Sequence, residues 1–224
     1  MTKNFEERLD AVERRIAAAC ANAGRDRKSV TLLAVSKTKP PDAVREAVDC
    51  GLRIFGENKV QEAQSKVSMC PARLEWHLIG HLQSNKAKVA ANLFQMIHSV
   101  DSLKLLQALE KNASMTLPVL LQVNSAGEAG KFGMKPEEVA GVVEAANQMN
   151  RCEVHGLMVI PPFSPDPEKT RIHFSNLRKL RDRVQEETGT PLPELSMGMS
   201  HDLEVAIDEG STWVRIGTDL FGKR

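Results

Sequence analysis

The sequence predicts an α/β fold: a single (β/α)8 barrel spanning residues 1–224. Three observations carry this. Short apolar, β-branched runs alternate with helical patterns, and about eight such runs can be counted, as a barrel needs. Glycine, proline and serine punctuate nearly every junction, with no linker or low-complexity tract between them. The first run is followed by SKTKPPD, which lacks the glycine fingerprint that a doubly wound open sheet would place there.

The elements follow in order. Phe5, Leu9, Val12, Ile16 and Ala19 recur at helical spacing, and Gly24 can end that helix. Val30 to Lys37 reads as a strand buried on both faces, with Thr31, Leu33, Val35 and Lys37 on one side. Pro41 and Asp42 open a helix that Gly51 stops. A short strand, 53–55, precedes a helix over 57–69. The strand 75–79 leads to a helix opened by Ser84, and the strand 95–100 to one opened by Asp101 or Ser102. The strand 118–123 passes through NSAGEAGKFGM to a helix beginning at Pro136. The strand 152–160 meets Pro161-Pro162 and then a long helix, 167–188. The strand 194–197 precedes a helix over 200–209, and the strand 212–216 closes the series. The chain ends soon afterwards at LFGKR, so the N-terminal helix is expected to complete the outer ring of helices.

Composition narrows the function. Thirty basic and 29 acidic side chains leave a net charge of +1, which gives no electrostatic case for nucleic acid or anionic membrane. The hydrophobic fraction is 42% and mean hydropathy is −0.30, a soluble globular balance. No run reaches the about 18 apolar residues of a membrane span, and the charged start MTKNFEERLD is no signal peptide. Cys20, Cys50, Cys70 and Cys152 are scattered, which favours a reduced, cytoplasmic setting without disulfide or thiolate metal site. No long exposed apolar segment stands out, so a monomer is expected.

Barrel chemistry sits at the C-terminal ends of the strands. Lys37 ends the first. It either snorkels to solvent or, desolvated, becomes an amine nucleophile for Schiff-base chemistry. Lys39 is a second amine or a solvated charge, and Pro40 argues that the strand has stopped before it. The loops after the seventh and eighth strands often bind phosphate. There Ser200 is either an ordinary helix cap or an anion ligand, beside Gly198, while Gly217 and Thr218 offer backbone N–H groups and a hydroxyl. Arg215 stands in an apolar run and needs either a salt bridge or a ligand group. Glu57 and Asn58, His77 and His81, and His98 and Asp101 are further polar strand ends. The histidines read as satisfied core or rim residues, not zinc ligands. The glycine-rich loop at Lys131 is expected to be mobile.

The segments AVSKTKP, IFGENKVQE, WHLIGHLQSNK, HSVDS, GKFGM, GLMVIPP and SMGMSHDLEVAIDEGSTWVRIGTDLFG run through nearly the whole chain. They closely resemble the pyridoxal phosphate homeostasis protein family, whose barrel is similar to that of alanine racemase, pyridoxal phosphate fold type III. The resemblance implies pyridoxal 5'-phosphate as cofactor, held as a Schiff base on Lys37. It implies that Asn58 lines the cofactor, that Ser200, Gly217 and Thr218 hold the phosphate, and that Arg215 approaches the pyridine nitrogen. It implies a role in intracellular cofactor and amino-acid homeostasis without established catalytic turnover, with pyridoxal phosphate-dependent apoenzymes as candidate recipients. Tyrosine is absent, so the lysine–tyrosine pair of a two-base racemase is unavailable. The alternatives are a weak amino-acid racemase or lyase with Lys37 as base, or a sugar-phosphate aldolase that uses Lys37 without the cofactor.

Overall fold

The computed structural model describes residues 4–125, 127, 130 and 132–222. Among them eight parallel strands follow one another in chain order around a closed barrel: β1 (Thr31–Val35), β2 (Ile54–Glu57), β3 (Glu75–Leu78), β4 (Met96–Val100), β5 (Leu117–Gln122), β6 (Cys152–Met158), β7 (Glu194–Met199) and β8 (Trp213–Ile216). β8 pairs back onto β1, with Leu33 opposite Arg215. The helices are α1 (Phe5–Asn22), α2 (Pro41–Asp49), α3 (Val60–Val67), α4 (Ala87–Leu93), α5 (Leu103–Asn112), α6 (Val139–Ala146), α7 (Arg171–Thr188), α8 (Leu203–Asp208) and α9 (Thr218–Phe221). The predicted (β/α)8 barrel is therefore the observed one. No helix among the described residues is long and apolar enough to cross a membrane.

Strand alternation divides the core in two. Leu33 and Val35 enter the lumen, where they pack with Ile79, Met96, Leu120, Met158 and Trp213. Leu32, Ala34, Val214 and Ile216 face outward and join the larger cluster beneath the helices. Each such aliphatic side chain contributes about 1.5–3 kcal/mol when fully buried, so a strand that served only one layer would forfeit half its apolar residues.

α1 takes the place expected of it in the ring. Asn4 and Glu7 form a reciprocal capping box at its start. Phe5, Val12, Ile16, Ala19 and Cys20 are buried on one stripe. That stripe packs on α8 and α9 on one side and meets α2 on the other. Phe5 lies 5.3 Å from Phe221, ring centre to ring centre, and Arg8 Nε donates to Leu220 O at 2.6 Å.

Most boundaries shift by a residue or two from the sequence reading, and three of the differences bear on the site. β1 ends at Val35, so Lys37 lies in a turn beyond it and not on the strand face. Glu57 belongs to β2 and not to the following helix, because Ser36 and Lys66 engage its carboxylate. Ser200 does not open α8, which starts at Leu203 after Asp202. Single 3-10 turns also precede α4, α6 and α7 at Ser84–Lys86, Pro136–Glu138 and Pro167–Thr170.

Candidate functional site

Past Val35 the chain leaves the sheet through a tight turn. Lys39 N donates back to Ser36 O at 3.1 Å, so Lys37 and Thr38 are its two corners. Thr38 has φ of 64°, a left-handed conformation that this turn position ordinarily gives to glycine or asparagine. For a β-branched residue that costs about 1–3 kcal/mol, and the surroundings must hold it.

They do so through α3. Glu62 and Lys66 are one helical turn apart and paired at 3.1 Å. The Glu62 carboxylate accepts the Thr38 N–H. Lys66 Nζ donates to Ser36 O at 2.8 Å and to Glu57 Oε1 at 2.6 Å, and Ser36 Oγ donates to the same Glu57 oxygen at 2.7 Å. Glu57 is fully buried and Lys66 is 4% exposed. Glu57 Oε2 has no partner among the described residues. Burial raises the Glu57 pKa, outweighing the opposing pull of Lys66 and Ser36.

Val35, Lys37, Thr38 and Lys39 form one side of a depression of 360 Å³, and Gly217, Thr218, Phe221 and Gly222 form the other. Its volume lies within the roughly 300–1,000 Å³ typical of small-molecule sites. The loop after β7 borders the same end of the barrel. Gly198 has φ of 90°, and a Cβ there would lie 2.5 Å from the Ala206 Cβ, so a glycine is required for α8 to close on β7. Asp202 Oδ1 accepts the Met199 N–H at 2.7 Å. This buried carboxylate, a stronger acceptor than a hydroxyl, organises the approach to α8 in the place expected of Ser200. Ser200 instead joins the two loops, its Oγ accepting the Asp219 N–H at 3.4 Å. Arg15 of α1 spans both, donating to Ser200 O at 2.9 Å and pairing with Glu204 and Asp219.

Arg215 is buried in the lumen, two residues before Gly217. Nη1 donates to Ser196 Oγ at 2.8 Å and Nη2 to Val159 O at 2.9 Å. Both partners are neutral, so the salt bridge that would have explained Arg215 is not among its contacts. Burial pulls its pKa down to about 10, and it remains a cation at neutral pH. Beyond it runs a buried chain. Ser196 Oγ lies 2.9 Å from His98 Nδ1, and His98 Nε2 lies 3.0 Å from His77 Nδ1. Arginine can only donate, so the Ser196 hydroxyl donates its hydrogen bond to His98 Nδ1, which accepts. Each histidine then carries its hydrogen on Nε2. That of His77 faces Glu75, whose Oε2 lies 3.9 Å away.

Burial depresses the pKa of both histidines, His77 to about 4 and His98 well below its ordinary value. They are therefore satisfied, neutral core residues, as expected. A base whose folded pKa is depressed adds stability above its unfolded pKa and loses it as pH falls through the folded one. For His77 that window runs from 6.5 down to about 4 and is worth about 3 kcal/mol. Urea unfolding at pH 7 and pH 4 is expected to show this loss, and His77→Gln to flatten it. An equal loss in His77→Gln would acquit the histidine.

Asn58 follows β2 and is half-buried. Its backbone is seated against Gly80, where a Cβ would lie 2.3 Å from Asn58 O. At the ends of β3 and β4, His81 Nδ1 lies 3.1 Å from Asp101 Oδ2, and the His81 ring stacks on Phe132 at 3.6 Å. Lys131, the centre of the loop expected to be mobile, lies outside the described residues. The structure thus gathers Lys37, Gly217 and Thr218 at one depression. Ser200 adjoins it through Asp219, while Asn58 and Arg215 do not line it. Sequence reasoning passed over Arg15, Glu62, Lys66 and Ser196. The i, i+4 spacing of Glu62 and Lys66 was a visible signal, whereas the reach of Arg15 across the chain was not.

The family model for the alanine racemase N-terminal domain matches residues 8–224. The pyridoxal phosphate homeostasis protein of Pseudomonas aeruginosa is 49% identical over 224 residues, covering 97% of this chain and 95% of that one. Its counterpart in Aquifex aeolicus is 46% identical over 225 residues, covering 99% of both chains. The structure of PipY from Synechococcus elongatus with pyridoxal phosphate bound is similar at a TM-score of 0.85 and 37% identity, covering 98% of this chain and all of that one. On matches that run from end to end in both sequence and fold, the chain belongs to the pyridoxal phosphate homeostasis protein family, built on the barrel of the alanine racemase N-terminal domain.

Proposed function

We propose that this protein holds pyridoxal 5'-phosphate as a Schiff base on Lys37 and serves the homeostasis of that cofactor and of amino acids, without catalytic turnover. We read residues 1–224 as one binding domain, acting as a cytoplasmic monomer, with pyridoxal phosphate-dependent apoenzymes as candidate recipients. The observation that carries the reading is the depression that sets Lys37 opposite Gly217 and Thr218. Relatives named for the homeostasis of this cofactor, and a similar structure that contains it, support the choice of ligand.

The residues fit the group. The aldehyde of the cofactor supplies a carbonyl that an amine can capture with release of water. Lys37 supplies the amine from the corner of a braced turn. Gly217 and Thr218 offer backbone N–H groups and a hydroxyl to the phosphate, and Ser200 adds a second hydroxyl. Arg215, outside the lining of the Lys37 depression, supplies a buried cation whose hydrogen-bond partners are neutral; a ring reaching from the depression into the lumen would bring its pyridine nitrogen near this charge, which would disfavour protonation there. Asn58, at the end of β2 and outside the lining of that depression, would border the cofactor only where the ring extends toward β2.

The test is the visible absorbance of the purified protein before and after borohydride, followed by peptide mass mapping. A yellow protein that bleaches and carries the reduced adduct on Lys37 is expected, and Lys37→Ala should stay colourless. A wild-type protein that remains colourless and unmodified after incubation with pyridoxal phosphate overturns the reading. Trapping by a sugar phosphate and borohydride would then favour an aldolase.

One observation favours the weak racemase or lyase as a second reading. His81, oriented by Asp101, stands at the C-terminal ends of the strands and could move a proton in place of the missing tyrosine. Exchange of an amino acid's α-hydrogen in deuterated water, lost in His81→Gln, would select it.

A further inference from the structure

We propose that Glu62 and Lys66 are positioning residues for Lys37, clamping the two peptide units on either side of it. The inference rests on Lys37 as the cofactor-bearing amine. The C=O of the Ser36–Lys37 peptide accepts Lys66 Nζ at 2.8 Å, and the N–H of the Lys37–Thr38 peptide donates to the Glu62 carboxylate. Both clamps come from α3, and Lys66 ties them to each other and to buried Glu57. Thr38 and Lys39 form a thin wall between the Lys37 depression and a second one of 420 Å³, lined by Glu62, Ser65, Lys66 and Met69.

The clamps explain two otherwise costly features. Thr38 holds a left-handed conformation with φ of 64°, which a β-branched residue leaves when released. Lys66 and Glu57 are charged side chains withdrawn from water, an arrangement that apolar residues could often replace without loss of stability. Holding an amine at a fixed corner gives both a use, since a reacting group gains by being held in its working geometry.

The experiment uses the full-length protein. Glu62→Ala is expected to slow pyridoxal phosphate uptake about tenfold, the scale of one lost charge-assisted hydrogen bond. Without cofactor, it should speed amide exchange at Thr38 and alter acylation of Lys37 relative to the other lysines. Glu62→Gln keeps a carbonyl acceptor for the Thr38 N–H and should recover most of the uptake rate. Thr38→Gly in the Glu62→Ala background should also restore uptake, because glycine adopts the left-handed turn unaided. Unchanged uptake in Glu62→Ala, or failure of both rescues, overturns the proposal. If the wild-type protein takes up no cofactor, the assignment of Lys37 as its carrier fails. Thr38 exchange and Lys37 acylation in the cofactor-free protein then judge the clamp alone, and no change in either overturns it.

Discussion

Replacing Arg215 by methionine is expected to leave the barrel as stable as before, or more so, while weakening retention of pyridoxal phosphate about ten- to a hundredfold. Arg215 is buried, and its two partners, Ser196 Oγ and Val159 O, carry no charge. A cation in that setting costs several kcal/mol of desolvation, which the Coulombic pull of buried Asp202 offsets only in part, and its pKa falls to about 10. Methionine fills similar space without the charge. It leaves Val159 O without that donor, a loss of about 1–3 kcal/mol, against a relief of similar size. Ser196 can still donate to His98, so the buried histidine chain survives. On the proposed function the charge serves the ligand more than the fold, its pull on Asp202 being the fold's main share. Thermal melts read the first half of the expectation and equilibrium dialysis of the cofactor the second. A large fall in melting temperature with retention unchanged would make Arg215 a structural residue.

Lys66→Met is expected to act in the opposite sense, destabilising the protein by about 3–5 kcal/mol, because it strands a buried carboxylate. For a chain of this size that lowers the melting temperature by roughly 6–20 °C. Glu57 would keep the Ser36 hydroxyl as its one remaining donor, with Oε2 already unpartnered among the described residues. The deficit should depend on pH. Burial already raises the Glu57 pKa above its ordinary 4.5, and removing Lys66 raises it further. A raised folded pKa means that the folded state binds the extra proton, so stability lost at neutral pH returns as pH falls toward and below 4.5. The gap between Lys66→Met and wild type should thus narrow from pH 7.5 to pH 5, and Glu57→Gln added to Lys66→Met should narrow it at pH 7.5. A gap that is the same at both pH values would show that Glu57 is not the cause.

These two residues mark the limits of the sequence reading. Arg215 was legible because one charge in an apolar strand, two residues from Gly217-Thr218, has few explanations. Lys37 was legible for a similar reason, although its turn was not: alternation carried β1 two residues too far, and only the Thr38 conformation shows where the strand ends. Glu57 read both as a polar strand end and as the first residue of the following helix. Its place at the end of β2, buried against Lys66, keeps the first and removes the second. Ser200 read as either a helix cap or an anion ligand; in the structure α8 starts three residues later, after Asp202, whose carboxylate ties back to the Met199 N–H of the preceding loop.

By itself the sequence determined the order of strands and helices, which residues of the first strand share a side, the place of α1 in the ring, and the end of the barrel that carries Lys37, Gly217 and Thr218. Each is written in spacing along the chain, because burial imposes a period of two on strands and 3.6 on helices. The tertiary structure alone decided which polar groups meet. Arg15 reaches Ser200 across 185 positions, Ser196 reaches His98 across 98, and Glu57 reaches Ser36 across 21. Hydrogen bonds and ion pairs act over about 3 Å of space whatever the separation in sequence, so these partners are chosen only when the barrel closes.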